Sequence, residues 1–241
     1  MHIIKLVLIW IYKFPYRLYR SFNNIDLDLA EAIVDPNGFG RLNLLIKSLH
    51  VPSKYEYLFY EMPDEALCID GGGNVGKFTD LVLFCGGRSL VFEPNPFLIK
   101  LMQRKFKNNE KVKLESKAIS TKDEMVEFNF GEYSDQSGSM HKNKRNQSGI
   151  GKQVEVQAVD FAKYLKKVHK ENGEIYLCKI DIEGAEFDAL EHIIKTGTYK
   201  LCKHIVVETH ARFFKDGKIR VKRLKALIAD NNITNIELDW F

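Results

Sequence analysis

A glycine-rich stretch, DGGGNVG starting at Asp70, has the residue types of a loop that comes close to a bound ligand. Gly71, Gly73 and Gly76 follow the spacing G-x-G-x-x-G. Glycines at such a turn let the backbone approach a ligand, although the same spacing also serves to join a strand tightly to a helix. Glu93 ends the next apolar run, where its carboxylate can accept both hydroxyls of a ribose. The two features together predict a ligand that contains a nucleoside.

The charges beside this loop favour S-adenosylmethionine over a nicotinamide dinucleotide. Both cofactors carry an adenosine, but the pyrophosphate of a dinucleotide would lie beside the Asp70 carboxylate, which repels it. S-adenosylmethionine brings a positive sulfonium and a positive ammonium group. Asp70, Glu93, Asp181 and Glu183 should lie at the same strand ends and form an anionic rim for that cation. We therefore predict S-adenosylmethionine as the cofactor, with an NAD(P)-dependent oxidoreductase and a non-catalytic nucleoside-binding module as alternatives.

A second stretch, LCKIDIEGAEFDAL from Leu177 to Leu190, places charged residues around a strand-to-helix turn. Glu186 and Asp188 have a simple explanation, because acidic residues in the first turn of a helix interact favourably with its dipole. That explanation does not extend to Lys179 and Asp181, which interrupt an otherwise apolar strand. A charged pair in such a strand must be matched or functional.

Transfer of a group to a hydroxyl needs a base, because an alkyl hydroxyl is a poor nucleophile at neutral pH. His210 is the first candidate, since it follows the apolar run HIVVET at the end of the next strand. Glu208 is placed to orient His210, and Asp181 is the competing base. The other interpretation of His210 is that it caps its strand by bonding to nearby backbone.

The elements that must position these residues follow from an alternation of strand-like and helix-like segments, which predicts a parallel sheet. The short apolar runs predicted as strands are Ala66–Asp70, Ser89–Glu93, Val112–Ser116, Ile175–Asp181 and His204–Thr209. The predicted helices are Val75–Phe84, Pro96–Phe106, Ala185–Lys195 and Arg220–Asp230. Ligands of such sheets bind beyond the carboxyl ends of the strands, which is where the charged residues should converge.

Two further alternating runs, Met125–Phe130 and Val154–Val159, predict a side hairpin. They flank the polar stretch Gly131–Gln153, which is long enough to be a lid, a binding loop or a disordered segment. The last segment, Thr234–Phe241, predicts one final strand.

The composition is that of a folded protein with weak net charge. The chain has 241 residues, of which 45% are hydrophobic, and its formal charge is +4 from 36 basic and 32 acidic residues. An excess this small does not indicate nucleic-acid binding. The four cysteines have no metal-like spacing, and we interpret them as reduced residues of a cytoplasmic protein.

The N-terminal segment, residues 1–22, is apolar and aromatic with interspersed basic residues. Its apolar run, Ile3–Phe14, is shorter than the roughly 20 residues that span a bilayer, and no cleavage site of a signal peptide follows it. Two interpretations stay open: a segment lying in a membrane interface, which would make the protein membrane-associated, or a helix packed on the body or on a second subunit. We expect residues 1–60 to form a helical arm and residues 61–241 the main domain.

Three stretches carry a family resemblance: DGGGNVG at Asp70–Gly76, FEPN at Phe92–Asn95 and KIDIEGAE at Lys179–Glu186. In this order they resemble the FkbM family of S-adenosylmethionine-dependent methyltransferases, over a region from about Ala66 to His210. The resemblance implies a class I methyltransferase fold, an α/β Rossmann-like, doubly wound and mostly parallel sheet. It also implies O-methylation of a hydroxyl, often on a sugar or glycan precursor, without a required metal. One strand follows the last predicted helix, so we expect the usual final hairpin of that fold to be incomplete.

The residues expected to bind the cofactor are Asp70, Gly72, Gly73, Asn74, Gly76, Glu93, Pro94, Lys117, Ala118, Asp181 and Glu183. Within this set, the glycines shape the loop. Asp70 and Asn74 orient the methionine end, and Glu93 holds the ribose. Lys117 and Ala118, which follow the third strand, are expected to lie alongside the adenine. The expected catalytic residues are His210, Asp181 and Glu208, and the expected partner is a small-molecule or glycan hydroxyl acceptor.

Overall fold

The structure is a computed structural model that describes residues 39–130, 138–139 and 152–240. The N-terminal segment 1–22 and most of the predicted loop Gly131–Gln153 lie outside the described residues. The chain divides into two compact units, Met1–Ser48 and Leu49–Phe241. The described part of the first unit is helix α1, Phe39–Ser48. The predicted boundary after residue 60 stays a prediction.

The second unit alternates strands and helices, as the sequence predicts. Its strands are β1 Leu67–Gly71, β2 Arg88–Phe92, β3 Val112–Glu115, β4 Ala118–Ser120, β5 Glu124–Phe130, β6 Gly138–Ser139, β7 Lys152–Asp160, β8 Ile175–Ile180, β9 Cys202–Val207 and β10 Ile236–Glu237. Its helices are α2 Tyr57–Tyr60, α3 Lys77–Phe84, α4 Pro96–Lys105, α5 Phe161–Asn172, α6 Glu186–Lys195 and α7 Gly217–Asp230. Short 3₁₀ segments lie at Ser53–Tyr55, Thr198–Leu201 and Ala211–Phe213.

The main sheet has six strands in the order β10-β9-β8-β1-β2-β3, and every neighbouring pair is parallel. The predicted fold class, a mostly parallel Rossmann-like α/β sheet, is therefore confirmed. β10 continues the parallel sheet beside β9, so the final strand predicted at Thr234–Phe241 is present but short. In the described ranges, no helix combines the length and apolar character needed to cross a bilayer.

Both faces of the main sheet are covered, as the alternation of side chains along β2 shows. Leu90 and Phe92 belong to a large apolar core that includes residues of α5 and α6. Val91, between them, belongs to a separate core on the opposite face with Ile99 and Met102 of α4. Successive side chains of a strand point to opposite faces, so the helices are distributed on both sides of the sheet.

A second sheet has the order β4-β7-β5-β6. β5 and β7 pair antiparallel, which confirms the predicted side hairpin. Strands β4 and β6 and helix α5 are not predicted from the sequence. Asp160 ends β7 and its side chain accepts a hydrogen bond from Lys163 N–H (3.1 Å), which caps α5. The chain thus passes from strand to helix without the loop that would have marked a boundary.

Candidate active site

The glycine loop after β1 is held against both neighbouring strands. The N–H groups of Gly72 and Gly73 both donate to the Phe92 carbonyl, at 3.0 and 3.1 Å. Gly72 has φ +82°, and a Cβ there would lie 1.9 Å from the Asp181 carbonyl oxygen. This contact shows why glycine is required at that position: the loop and the turn after β8 approach each other too closely for a side chain.

Glu93 closes the other side of the loop with its carboxylate. One oxygen accepts from Asn74 N–H and the other from Asn95 N–H, both at 2.8 Å. The residue is 5% exposed, and burial raises the pKa of its carboxyl to about 7 despite these two hydrogen bonds. Each oxygen has a second lone pair, so the carboxylate can accept two more donors.

Asp70, expected to orient the methionine end of a cofactor, is buried behind the cleft and is not among the residues that line it. Its carboxylate is fully buried and accepts from Thr79 Oγ1 (2.9 Å) and Lys179 Nζ (3.2 Å). Burial would lower the pKa of Lys179, but the adjacent Asp181 and Asp70 carboxylates outweigh it and raise that pKa above its ordinary value. Lys179 Nζ also donates to the Gly72 carbonyl (3.2 Å) and lies 3.3 Å from Asp181 Oδ2. Asp70 therefore anchors the lysine that ties the loop to β8.

A cleft opens beyond the carboxyl ends of β1, β2 and β8, with about 560 Å³ of unfilled space that is partly open to solvent. The predicted cofactor residues that line it are Gly72, Asn74, Glu93, Pro94, Lys117, Ala118, Asp181 and Glu183. Phe92, Ile119, Phe128 and Ile182 add apolar walls.

Lys117 and Ala118 reach the cleft through the segment that joins β3 to β4. Lys117 Nζ pairs with Glu115 Oε2 at 2.6 Å, and Tyr164 OH donates to the other oxygen of Glu115 at 2.6 Å. These contacts fix the lysine beside the cleft wall. Ala118, the first residue of β4, is buried in a small apolar core with residues of β5 and β7.

His210 lies beneath three carboxylates at the ends of β8 and β9. Its Nε2 is 3.4 Å from Glu208 Oε1, 3.6 Å from Glu183 Oε2 and 3.7 Å from Asp181 Oδ1. The histidine is 1% exposed, whereas the three acidic side chains are between 21% and 25% exposed. An acceptor entering from solvent would meet the carboxylates before the imidazole. The predicted role of His210 as base stays a prediction, but the structure makes it the innermost member of the cluster.

Glu186 positions His210, although it is not among the site residues predicted from the sequence. Its side chain is fully buried; one oxygen accepts from His210 N–H (2.6 Å) and lies 3.4 Å from Nδ1, and the other accepts from Gly184 N–H (2.7 Å). A helical repeat would have revealed it, because Glu186 shares the buried face of α6 with Leu190 and Ile193 at i+4 and i+7. A carboxylate on an apolar face requires a partner.

Burial and neighbouring charges shift the pKa of His210 and of the nearby Glu208. Burial lowers the pKa of His210, but the hydrogen-bonding interaction with Glu186 and the charges of Glu186, Glu183 and Asp181 prevail and raise it. Burial and the neighbouring Asp181 raise the pKa of Glu208. The cluster therefore holds at least one carboxylate whose proton affinity is shifted toward neutral pH, which is typical of acid–base sites.

The parallel sheet with helices on both faces and the cleft at its carboxyl edge define a protein with a Rossmann-like α/β fold. A family model described as "Methyltransferase FkbM domain" matches residues 70–235. The chain belongs to this family, and the resemblance inferred from the sequence is confirmed.

Among solved structures, the chain is similar to methyltransferase FkbM from Methylobacillus flagellatus KT, with 12% sequence identity and a TM-score of 0.44. The similarity covers 69% of this chain and 37% of that chain, so this protein corresponds to less than half of that one. A search of curated proteins found no match. The family assignment therefore rests on the domain match.

Proposed function

We propose that the protein transfers a methyl group from S-adenosylmethionine to a hydroxyl oxygen, in a sugar or glycan precursor. Membership of the FkbM family supports methyl transfer. The cofactor assignment depends on Glu93, a buried carboxylate at the cleft. Each of its two oxygens accepts one hydrogen bond from a loop N–H group and has one lone pair left. Two vicinal hydroxyls of a ribose match the donors that such a carboxylate can still accept.

The remaining cleft residues fit the same cofactor by charge and shape. Asp181 and Glu183 line one end of the cleft, where their negative charges favour the sulfonium and ammonium groups. Ile119 and Phe128 provide apolar surface beside Lys117 and Ala118, which suits a planar base. When bound, S-adenosylmethionine would supply the methyl group, and its C–S bond would break as the C–O bond forms, leaving the demethylated cofactor; the residues of the chain orient it.

The acceptor hydroxyl must lose its proton as the new C–O bond forms, and Glu208 is the group we propose to take it. Burial and the neighbouring Asp181 raise its pKa, its side chain is 21% exposed, and it converges on His210 together with the cleft residues Asp181 and Glu183. Asp181 is less suited because its Oδ2 is already paired with Lys179 Nζ at 3.3 Å. In this arrangement His210, buried below, holds the three carboxylates in place and acts as a positioning residue.

The charges of the cleft disfavour the alternative function, hydride transfer to a nicotinamide dinucleotide. A pyrophosphate would have to enter a cleft whose far end presents Asp181 and Glu183, and the Lys179 cation is already paired with two carboxylates. Like charges at this distance disfavour binding.

Calorimetric titration with S-adenosylmethionine, its demethylated product and NAD distinguishes these functions. We expect the first two to bind and NAD not to bind. Isotopically labelled methyl donor, incubated with a panel of sugars and lipid-linked glycan precursors, should then yield a product heavier by one methyl group. Binding of NAD in preference to S-adenosylmethionine would refute the cofactor assignment, and label found on nitrogen or carbon would refute O-methylation.

A further inference from the structure

We propose that Asp181, Glu183 and His210, with Glu208 as a fourth ligand, bind one divalent metal cation at the mouth of the cleft. Among the described residues, the first three form a group whose possible ligand atoms all lie within 4.8 Å of one another. They come from two adjacent strand ends, because β8 precedes Asp181 and Glu183 while β9 precedes Glu208 and His210. The FkbM resemblance implies no required metal, so the proposal rests on the geometry of this chain.

The spacing of the atoms supports a shared cation better than direct bonds between the side chains. His210 Nε2 lies 3.4 to 3.7 Å from the Glu208, Glu183 and Asp181 oxygens. These separations exceed the roughly 2.7–3.2 Å of an N–H···O hydrogen bond. Ligand atoms that each lie about 2.0–2.2 Å from one metal are themselves separated by roughly 3–3.5 Å. The distances from His210 Nε2 to the three oxygens are thus within a few tenths of an ångström of that spacing, and the group as a whole, with its atoms within 4.8 Å of one another, would contract around the cation.

The imidazole is held in the orientation that a metal ligand requires. His210 is 1% exposed and stacks on Phe213, with ring centroids 5.2 Å apart and an interplanar angle of 23°. Its Nδ1 lies 3.4 Å from Glu186 Oε1, and the same oxygen accepts the His210 backbone N–H. A carboxylate behind the second ring nitrogen is a common feature of metal-binding histidines. Here 3.4 Å is longer than a hydrogen bond, so the ring is held by its burial, its stacking on Phe213 and the backbone bond to Glu186. Nε2 is thus directed at the three carboxylates.

The charge balance also favours a divalent cation. Three carboxylates, those of Asp181, Glu183 and Glu208, converge on the His210 side chain. Lys179 pairs with Asp181 Oδ2, and the other oxygen of Asp181, Oδ1, faces His210. Arg212 Nη1 lies 3.6 Å from Glu208 Oε1, but its side chain is 60% exposed and its charge is screened by solvent. One imidazole nitrogen with carboxylate oxygens suits cations that accept both donor types, such as Mn²⁺ and Zn²⁺, better than Mg²⁺.

A metal in this site would help to activate the acceptor hydroxyl, and this catalytic role rests on the proposed function. Asp181 and Glu183 line the cofactor cleft as well as the metal cluster, so a cation there would lie at the end of the cleft that the proposed function assigns to the sulfonium and ammonium groups, and it would share these two carboxylates with them. A hydroxyl bound to a divalent cation loses its proton more readily than a free one. Glu208 would then act at the edge of the site, as a ligand or as the acceptor of that proton.

The experiment uses the full-length chain, stripped of metal by chelation and titrated with Mn²⁺, with binding followed by electron paramagnetic resonance and calorimetry. We expect one saturable site, displaced by Zn²⁺ and only weakly by Mg²⁺. Glu183→Gln and His210→Ala should each weaken Mn²⁺ binding by at least about tenfold, on the scale of changes around metal sites. Asp188→Asn, an exposed carboxylate on the adjacent helix α6, is the matched control and should bind as the wild type does.

Several outcomes would overturn the site. The site is refuted if the wild-type chain shows no saturable Mn²⁺ binding, or if Glu183→Gln binds Mn²⁺ as tightly as the wild type. It is also refuted if NMR shows that the His210 ring is an imidazolium whose signals do not change on addition of Mn²⁺ or Zn²⁺. Because His210→Ala empties a buried position, Glu183→Gln, whose side chain is 23% exposed, keeps the test valid if the histidine variant does not fold. Methyl transfer that is unchanged by chelation, with no Mn²⁺ bound, would overturn this proposal and leave the proposed function intact. Mn²⁺ binding without cofactor binding would support the site and count against the function.

Discussion

Replacing Glu93 with glutamine tests the cofactor assignment most directly. Each oxygen of the wild-type carboxylate accepts one loop N–H, from Asn74 or Asn95, and has one lone pair left for a ribose hydroxyl. Glutamine keeps one acceptor oxygen and presents an NH₂ group to the other N–H. We expect cofactor binding to weaken by about 2–3 kcal/mol, the scale of a lost charged hydrogen bond. That corresponds to roughly a 30- to 150-fold increase in Kd.

The pH dependence gives the same prediction a second readout. Binding of two hydroxyl donors needs the ionised carboxylate, whose pKa in the free protein is raised to about 7 by burial. Wild-type affinity should therefore fall as the pH falls below 7, by roughly tenfold per pH unit, and the glutamine variant should lose this dependence. The effect on stability has the opposite sign. The raised pKa favours the protonated form in the fold, so its contribution is complete below the ordinary pKa of 4.5 and is lost as the pH rises through about 7.

Calorimetry at pH 6 and pH 8, together with urea denaturation at both values, measures these quantities. Glu110→Gln, an exposed carboxylate in the turn before β3, is the control and should match the wild type in both assays. Equal cofactor affinity in wild type and Glu93→Gln, or wild-type binding that does not change between the two pH values, would refute the assignment of Glu93.

Three further predictions concern the loop, the buried ion pair and the acid–base cluster. Gly76→Ala should lower the free energy of unfolding in urea denaturation more than Gly197→Ala does. Both glycines have left-handed backbone, but the added Cβ would lie 2.6 Å from the Phe106 ring at position 76, whereas no described atom lies within 4 Å of it at position 197. Equal losses of stability in the two variants would disprove the close packing. Lys179→Met should cost about 3–5 kcal/mol of unfolding free energy because it leaves the Asp70 carboxylate buried without its cation, and adding Asp70→Asn should restore part of it; an additive double variant would contradict the pairing. Glu208→Gln should lower kcat by about 10²–10⁴ with cofactor Kd unchanged. In the wild type kcat should fall as the pH falls through the raised pKa of this group, and a full pH response in the variant would move the base elsewhere.

The sequence alone predicted the parallel sheet, the position of most of its strands and the family. These follow from short-range information: apolar runs of strand length, helical repeats between them, and glycines where the backbone must turn tightly. Glu93 was found in the same way, because a carboxylate at the end of an apolar strand lies at the edge where ligands bind. The side hairpin of β5 and β7 was also visible, since each strand alternates polar and apolar residues.

What the sequence did not reveal is which charged residues face the cleft and which support it from below. Asp70, predicted at the cofactor, is fully buried against Lys179, while Glu186, interpreted as a residue favoured by the helix dipole, holds the backbone of His210. These pairings join β1 to β8 and the start of α6 to the end of β9, so they depend on strand order and register. A strand pattern specifies which residues reach the sheet edge, but the partner of each charge is decided by which strand lies next to it, and that is fixed only by the tertiary fold.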